Sequence, residues 1–180
     1  MYKKVFILGG TKSGKSDFAL QRANQLDGPR AFIATAQSFD SEMAERIKKH
    51  KQQRGQDGWD TYEEPLELSN LLLRISDKYQ VIIVDCLTLW LNNLIADSKT
   101  IDFEQQFSQL TNTLKNLNGH SGQDMTRIFI VSNEVGMGIV PDNPLARQFR
   151  DLAGRLNRMI AEVSDHVYLV YAGLPLLLKD

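Results

Sequence analysis

The residues Gly9-Gly10-Thr11-Lys12-Ser13-Gly14-Lys15-Ser16 match the spacing G-x-x-x-x-G-K-[ST] at every fixed position. The chemistry served by this spacing is the holding of a polyphosphate. Gly9 and Gly14 permit backbone angles that turn amide N–H groups inward around an anion. A helix expected from about Lys15 through Ala23 aims the positive end of its dipole at the same charge. Lys15 can reach the β- and γ-phosphates, and the Ser16 hydroxyl can ligate Mg²⁺. A chance glycine-rich turn is the competing reading, and the motif's position between a strand and a helix argues against it. Asp85 is the matching acid. It follows Val81-Ile82-Ile83-Val84, and a carboxylate at the end of a parallel strand can hold Mg²⁺ directly or through water. The competing role for Asp85 is to cap a helix starting near Leu87.

A second concentration of chemistry lies around His50. Asp40-Ser41-Glu42 reads as a capped helix start with early negative charge. That helix is expected to run to about Arg54. Arg46 and Arg54 share a face with His50, and Lys49 and Lys51 flank it. Such a cationic surface suits a polyphosphate. The neighbouring cations should lower the histidine pKa and leave a neutral imidazole able to act as base or nucleophile. A solvated charged helix with an incidental histidine fits the residues as well.

The run Ile128-Phe129-Ile130-Val131 leads into Ser132-Asn133-Glu134-Val135-Gly136-Met137-Gly138-Ile139-Val140-Pro141. Glycines, polar groups and apolar residues after a parallel strand point to a functional loop. Beyond it come Arg147, Arg150, Arg155 and Arg158, either in phosphate contact or paired with helix acids such as Asp151 and Glu162. Asp151-Leu152-Ala153-Gly154 has the letters of a GTPase D-x-x-G switch but falls inside a helical pattern. No N-K-x-D base-reading motif occurs, which disfavours a regulatory GTPase.

These groups need a scaffold. Five short apolar runs predict buried strands: Val5-Phe6-Ile7-Leu8, Ala31-Phe32-Ile33-Ala34-Thr35, Val81-Ile82-Ile83-Val84, Ile128-Phe129-Ile130-Val131 and Val167-Tyr168-Leu169-Val170-Tyr171. Between them Phe103, Phe107, Leu110, Leu114 and Leu117 mark one helix face. Leu145, Phe149, Leu152, Leu156, Ile160 and Val163 mark another, opened by Asn143-Pro144. Residues 54–64 and 119–126 are expected as loops. Alternating strands and helices predict an α/β fold with a mainly parallel β-sheet flanked by helices, in the P-loop NTPase manner. The 180 residues suit a single domain spanning 1–180.

Composition narrows the partners. Lys+Arg total 21 against Asp+Glu 22, a net charge of -1, so no global basic field exists to attract nucleic acid or an anionic membrane. One cysteine excludes an internal disulfide and a Cys-rich metal site, and fits a reducing, cytoplasmic setting. The first residues have too short an apolar core for a signal peptide, and no apolar run approaches membrane-spanning length.

Almost the whole chain resembles the bifunctional adenosylcobinamide kinase/adenosylcobinamide-phosphate guanylyltransferases of cobalamin biosynthesis. The resemblance is carried by residues 9–16, Ile33-Ala34-Thr35-Ala36, Glu42-Met43-Ala44-Glu45-Arg46-Ile47 with His50 and Arg54, and Asp85-Cys86-Leu87-Thr88. Its most specific mark is Asn133-Glu134-Val135-Gly136-Met137-Gly138-Ile139-Val140-Pro141, followed by Leu145-Ala146-Arg147. The resemblance implies phosphorylation of adenosylcobinamide by ATP or GTP. It then implies transfer of GMP from GTP through a GMP-histidine intermediate at His50. It places nucleotide contacts at the P-loop, Ala34, Thr35, Ala36, Lys51, Gln52, Gln53, Arg54, Glu63 and Asp85, and implies a homotrimer with sites between subunits. Some relatives carry glutamate where this chain has Asp85, and some a second histidine where it has Lys49. A kinase for another small alcohol, with His50 structural, is the main alternative, ahead of a non-enzymatic nucleotide-binding module.

Overall fold

The computed structural model describes residues 3–37, 58–97, 101–117 and 126–180. The predicted parallel sheet is present, with its strands in the spatial order β3-β2-β4-β5-β1-β6-β7. The strands are β1 (Lys3–Gly9), β2 (Arg30–Ala34), β3 (Trp59–Glu63), β4 (Val81–Asp85), β5 (Arg127–Asn133), β6 (His166–Tyr171) and β7 (Leu174–Lys179). All neighbours run parallel except β6 and β7, which form an antiparallel hairpin.

Strict side-chain alternation lets each central strand bury both faces. Val5, Ile7, Phe32, Val81, Ile83, Phe129 and Val131 pack on one side against Ala19, Ala23 and Leu26, in and just after α1 (Lys15–Ala23). Phe6, Ala31, Ile33, Ile82, Val84, Ile128 and Ile130 face the other way. There they meet α2 (Leu68–Ile75), α3 (Leu87–Ala96), α4 (Phe103–Asn116) and α5 (Pro144–Val163). The periodic residues Phe107, Leu110 and Leu114 of α4 are buried in this layer, as are Leu156 and Ile160 of α5. The expected cap of α5 is present: Asn143 Oδ1 accepts from the amides of Leu145 and Ala146 at 2.8 and 3.2 Å.

Two strands depart from expectation. Residues 54–64 read as a loop, yet Trp59–Glu63 forms β3, paired in register with β2 from Arg30↔Trp59 to Ala34↔Glu63. It is an edge strand, so polar Asp60 and Glu63 are tolerated on it. The Leu174–Lys179 segment adds β7 through a turn at Ala172 and Gly173, whose φ angles are 51° and 81°. The second expected loop, 119–126, lies outside the described residues except for buried Thr126, and the helix expected from Asp40 to about Arg54 lies outside them altogether. No helix among the described residues is long and apolar enough to cross a membrane.

Candidate nucleotide site

The ends of β4, β5 and β1 lie side by side and carry Asp85, Asn133 and Gly9. From Gly9 the chain turns through Gly10-Thr11-Lys12-Ser13 to Gly14, the N-cap of α1. The motif's two fixed glycines are needed for different reasons. A Cβ at Gly9 would overlap the carbonyl oxygen of Val170 on β6. Gly14 has φ 94°, in the left-handed region that side chains disfavour. The loop is closed inside by Ser13 N–H donating to Gly10 O at 3.2 Å. It is braced outside by Gly173 N–H, which donates to Ser13 O at 2.9 Å. The hairpin turn between β6 and β7 therefore fixes the loop from behind.

Lys15 is buried beneath the loop. Its Nζ donates to Gly10 O at 2.6 Å and lies 3.5 Å from Ser13 Oγ. Burial lowers its pKa, while the acidic groups of Cys86 and Asp85 pull in the opposite direction. A bound polyphosphate would add negative charge beside this ammonium.

Asp85 is presented by a locked main chain. Fully buried Thr35, just past β2, holds the next residue from both sides: its Oγ1 accepts from Cys86 N–H at 2.9 Å and donates to Cys86 O at 2.7 Å. Thr35 N–H donates to Asp85 O at 3.2 Å, and Asn93 Nδ2 donates to Thr35 O at 2.7 Å. Asp85 is not the cap of α3. That position belongs to Cys86, and no side chain makes a capping hydrogen bond there. The Cys86 thiol is pushed up to about 11 by burial first and by the Asp85 charge second.

Asp85 and Ser16 are both half-buried at this end of the sheet. No group of three or more His, Cys, Asp or Glu able to hold a metal occurs among the described residues. One carboxylate and one hydroxyl do not make a protein cage. They do suit Mg²⁺, which keeps several waters and takes its other ligands from substrate phosphates.

The remaining expected residues divide. Ala34 is buried at the end of β2, Ala36 is half-buried two residues on, and Glu63 is exposed at the end of β3. His50, Lys51, Gln52, Gln53 and Arg54 lie outside the described residues. The four arginines of α5 are engaged within the chain. Arg147 donates to the carbonyls of Pro141 and Asp142 at 2.9 and 2.7 Å, tying the end of the long loop to the helix. Of the two readings left open for them, these pairings are of the helix-acid kind: Arg150 pairs with Asp151, Arg158 with Glu162, and Arg155 with Glu104 on α4. Asp151 and Gly154 are inside α5, so the D-x-x-G letters have no switch geometry.

Several supporting residues had no role assigned from the sequence, Thr88 and Asn157 entering only as letters of the family pattern. Thr88 Oγ1 accepts from Asn133 N–H at 2.7 Å, and Asn157 Nδ2 donates to Asn133 O at 3.1 Å, so α3 and α5 both anchor the end of β5. Polar residues on otherwise apolar helix faces were the available signal for Thr88, Asn93 and Asn157. Gly173 had a weaker one, a glycine between two apolar runs.

A mainly parallel sheet, a phosphate loop between β1 and α1, a buried loop lysine and an acid at a nearby strand end define a P-loop nucleotide-binding enzyme fold. Solved structures of the same architecture include the flagellar accessory protein FlaH of Methanocaldococcus jannaschii, with TM-score 0.56 and 13% identity over 98% of this chain and 78% of that one. The RadB recombinase is another, with TM-score 0.54 and 13% identity over 93% and 73%. The chain belongs to the cobinamide kinase / cobinamide phosphate guanyltransferase family, whose model matches residues 5–178. It is 42% identical to the bifunctional adenosylcobalamin biosynthesis protein CobP of Pseudomonas aeruginosa, over 96% of this chain and 95% of that protein. Identity to the Escherichia coli protein CobU of the same description is 33%, over 97% and 99%. The chain is thus an enzyme of cobalamin biosynthesis.

Proposed function

We propose that one domain spanning residues 1–180 phosphorylates adenosylcobinamide and then converts the product to adenosylcobinamide-GDP. The observation that carries this reading is the phosphate cradle of residues 9–16 set beside Asp85, in a chain that matches the bifunctional family over almost its whole length. In the first reaction a hydroxyl oxygen of adenosylcobinamide bonds to the γ-phosphorus of ATP or GTP, and the bond to the β-phosphate oxygen breaks. Loop amides and Lys15 hold the phosphates in line. Ser16 and Asp85 would hold Mg²⁺, which offsets charge on the transferred group when bound.

In the second reaction an imidazole nitrogen of His50 attacks the α-phosphorus of GTP, and pyrophosphate leaves. The phosphate of adenosylcobinamide phosphate then displaces His50, so one exchange becomes two displacements. Lys51, Gln52, Gln53, Arg54, Glu63 and the segment Ala34, Thr35 and Ala36 complete the nucleotide contacts in this reading. The cytoplasm supplies both nucleotides, and the enzyme acts there as a homotrimer with sites between subunits. Exposed apolar side chains on β7, including Leu174 at 73% and Leu176 at 58%, support an assembled state; light scattering that gives a monomer mass would remove it.

The test of the transferase is incubation with Mg²⁺ and GTP labelled at the α-phosphate, followed by denaturing electrophoresis. An acid-labile, alkali-stable label that disappears in His50→Ala is the expected result. No label on wild-type protein that still binds nucleotide leaves a kinase without guanylyl transfer.

A further inference from the structure

The phosphoryl acceptor is a hydroxyl, and its proton must leave as the oxygen bonds to phosphorus. The described residues place carboxylates at several C-terminal strand ends, and sheet geometry ranks them. Glu63 ends β3, which is four strand positions from β1. At about 4.8 Å per strand that is roughly 19 Å from the phosphate loop. Asp85 ends β4, two positions from β1, and has the metal role assigned above. Glu134 follows the end of β5, the immediate neighbour of β1. Its own amide donates to Gly9 O, the first residue of the motif, at 3.0 Å. It therefore stands between the phosphate loop and Asp85.

Its surroundings hold it in place. Thr88 and Asn157 fix the main chain of Asn133 immediately before it. Glu134 Oε1 accepts from Gly136 N–H at 2.6 Å, which turns the loop back over the carboxylate. A Cβ at Gly136 would come within 2.9 Å of Oε1, so glycine permits this closeness. Glu134 is half-buried, so part of it remains open to solvent.

We propose that Glu134 is the general base of the phosphoryl transfer, an inference that rests on the kinase reading above. The hydroxyl proton passes to Glu134 Oε2, with Oε1 engaged by Gly136. The oxygen bonds to the γ-phosphorus, and the electron pair of the broken bond stays on the departing nucleoside diphosphate. Glu134 afterwards releases the proton to water. A positioned base contributes about 10²–10⁴ in rate.

The test compares wild type, Glu134→Gln and Glu134→Asp as full-length protein with ATP, Mg²⁺ and adenosylcobinamide. Glutamine keeps an oxygen for the Gly136 amide and removes the basic site, so the loop should hold. The expected result for Glu134→Gln is a phosphorylation kcat lower by at least about 100-fold. Its nucleotide Kd should stay within about twofold and its labelling from α-labelled GTP should remain, since neither uses this proton transfer. Glu134→Asp should fall between the two. Glu134→Gln turning over within about threefold of wild type overturns the assignment while leaving the kinase reading intact. So does a loss of nucleotide binding equal to the loss of rate, which marks a structural residue. Wild type that transfers no phosphoryl group to adenosylcobinamide overturns the kinase reading and this inference together.

Discussion

Thr35→Val asks whether Asp85 is held in place by the segment beneath it. Valine has the shape of threonine without the hydroxyl. The replacement leaves the Cys86 N–H without its partner, at a residue only 6% exposed, while Cys86 O loses one of two bonds and keeps that from Trp90 N–H at 3.1 Å. One orphaned buried group costs about 1–3 kcal/mol. The middle of that range is expected. Thr35 N–H and C=O keep their bonds to Asp85 O and Asn93, and the fold itself persists. About 2 kcal/mol in a chain of this length lowers Tm by roughly 4–8 °C. Urea denaturation should show an earlier midpoint with an unchanged slope. Because the damage is next to Asp85, Mg²⁺-dependent nucleotide affinity should fall about tenfold, roughly 1.4 kcal/mol, while metal-free affinity changes less. A stability loss below about 1 kcal/mol with unchanged affinity would refute the claim that this buried pair positions the acid.

Gly9→Ala drives a methyl group into the Val170 carbonyl. It should abolish measurable nucleotide binding by calorimetry and cost about 1–3 kcal/mol of stability. Burial opposes the charge on Asp165, but hydrogen bonds from the Lys4 amide and ammonium and nearby positive charge outweigh it, holding the carboxyl below its ordinary range. A carboxyl with a lowered folded pKa adds stability above its unfolded value and loses it as pH falls through the folded one. Asp165→Asn should therefore be less stable than wild type near neutral pH, by under about 1 kcal/mol for a side chain this exposed. The difference should close below about pH 4 in urea titrations. Cys86, at about 11, is protonated near neutral pH; its thiol should react slowly with a disulfide reagent at pH 8 in native protein and at once after denaturation.

Much of the scaffold was legible because its residues are buried on both faces. The five continuous apolar runs all became strands, since a parallel sheet covered by helices admits few polar residues along them. The edges were not legible. Trp59-Asp60-Thr61-Tyr62-Glu63 carries charge because one side of β3 has no neighbour, and β7 places Pro175 on the opposite edge, where a missing donor is tolerated. The site divides in the same way. The phosphate loop and Asp85 are local patterns. The double hold of Thr35 on Cys86 and the brace from Gly173 join residues far apart in the chain, and no local spacing encodes them.

That brace also sets the order in which the enzyme can be finished. The phosphate motif precedes its supports in the chain: β1 takes its neighbours from β5 and β6, and Ser13 takes its bond from Gly173. Until those segments have been made, the motif is a glycine-rich segment with no sheet on either side of its strand. Nucleotide cannot act as a template for the early chain. Its stabilising effect begins only when the β6–β7 hairpin has been made, so bound nucleotide protects chains that carry the hairpin and leaves shorter ones unprotected.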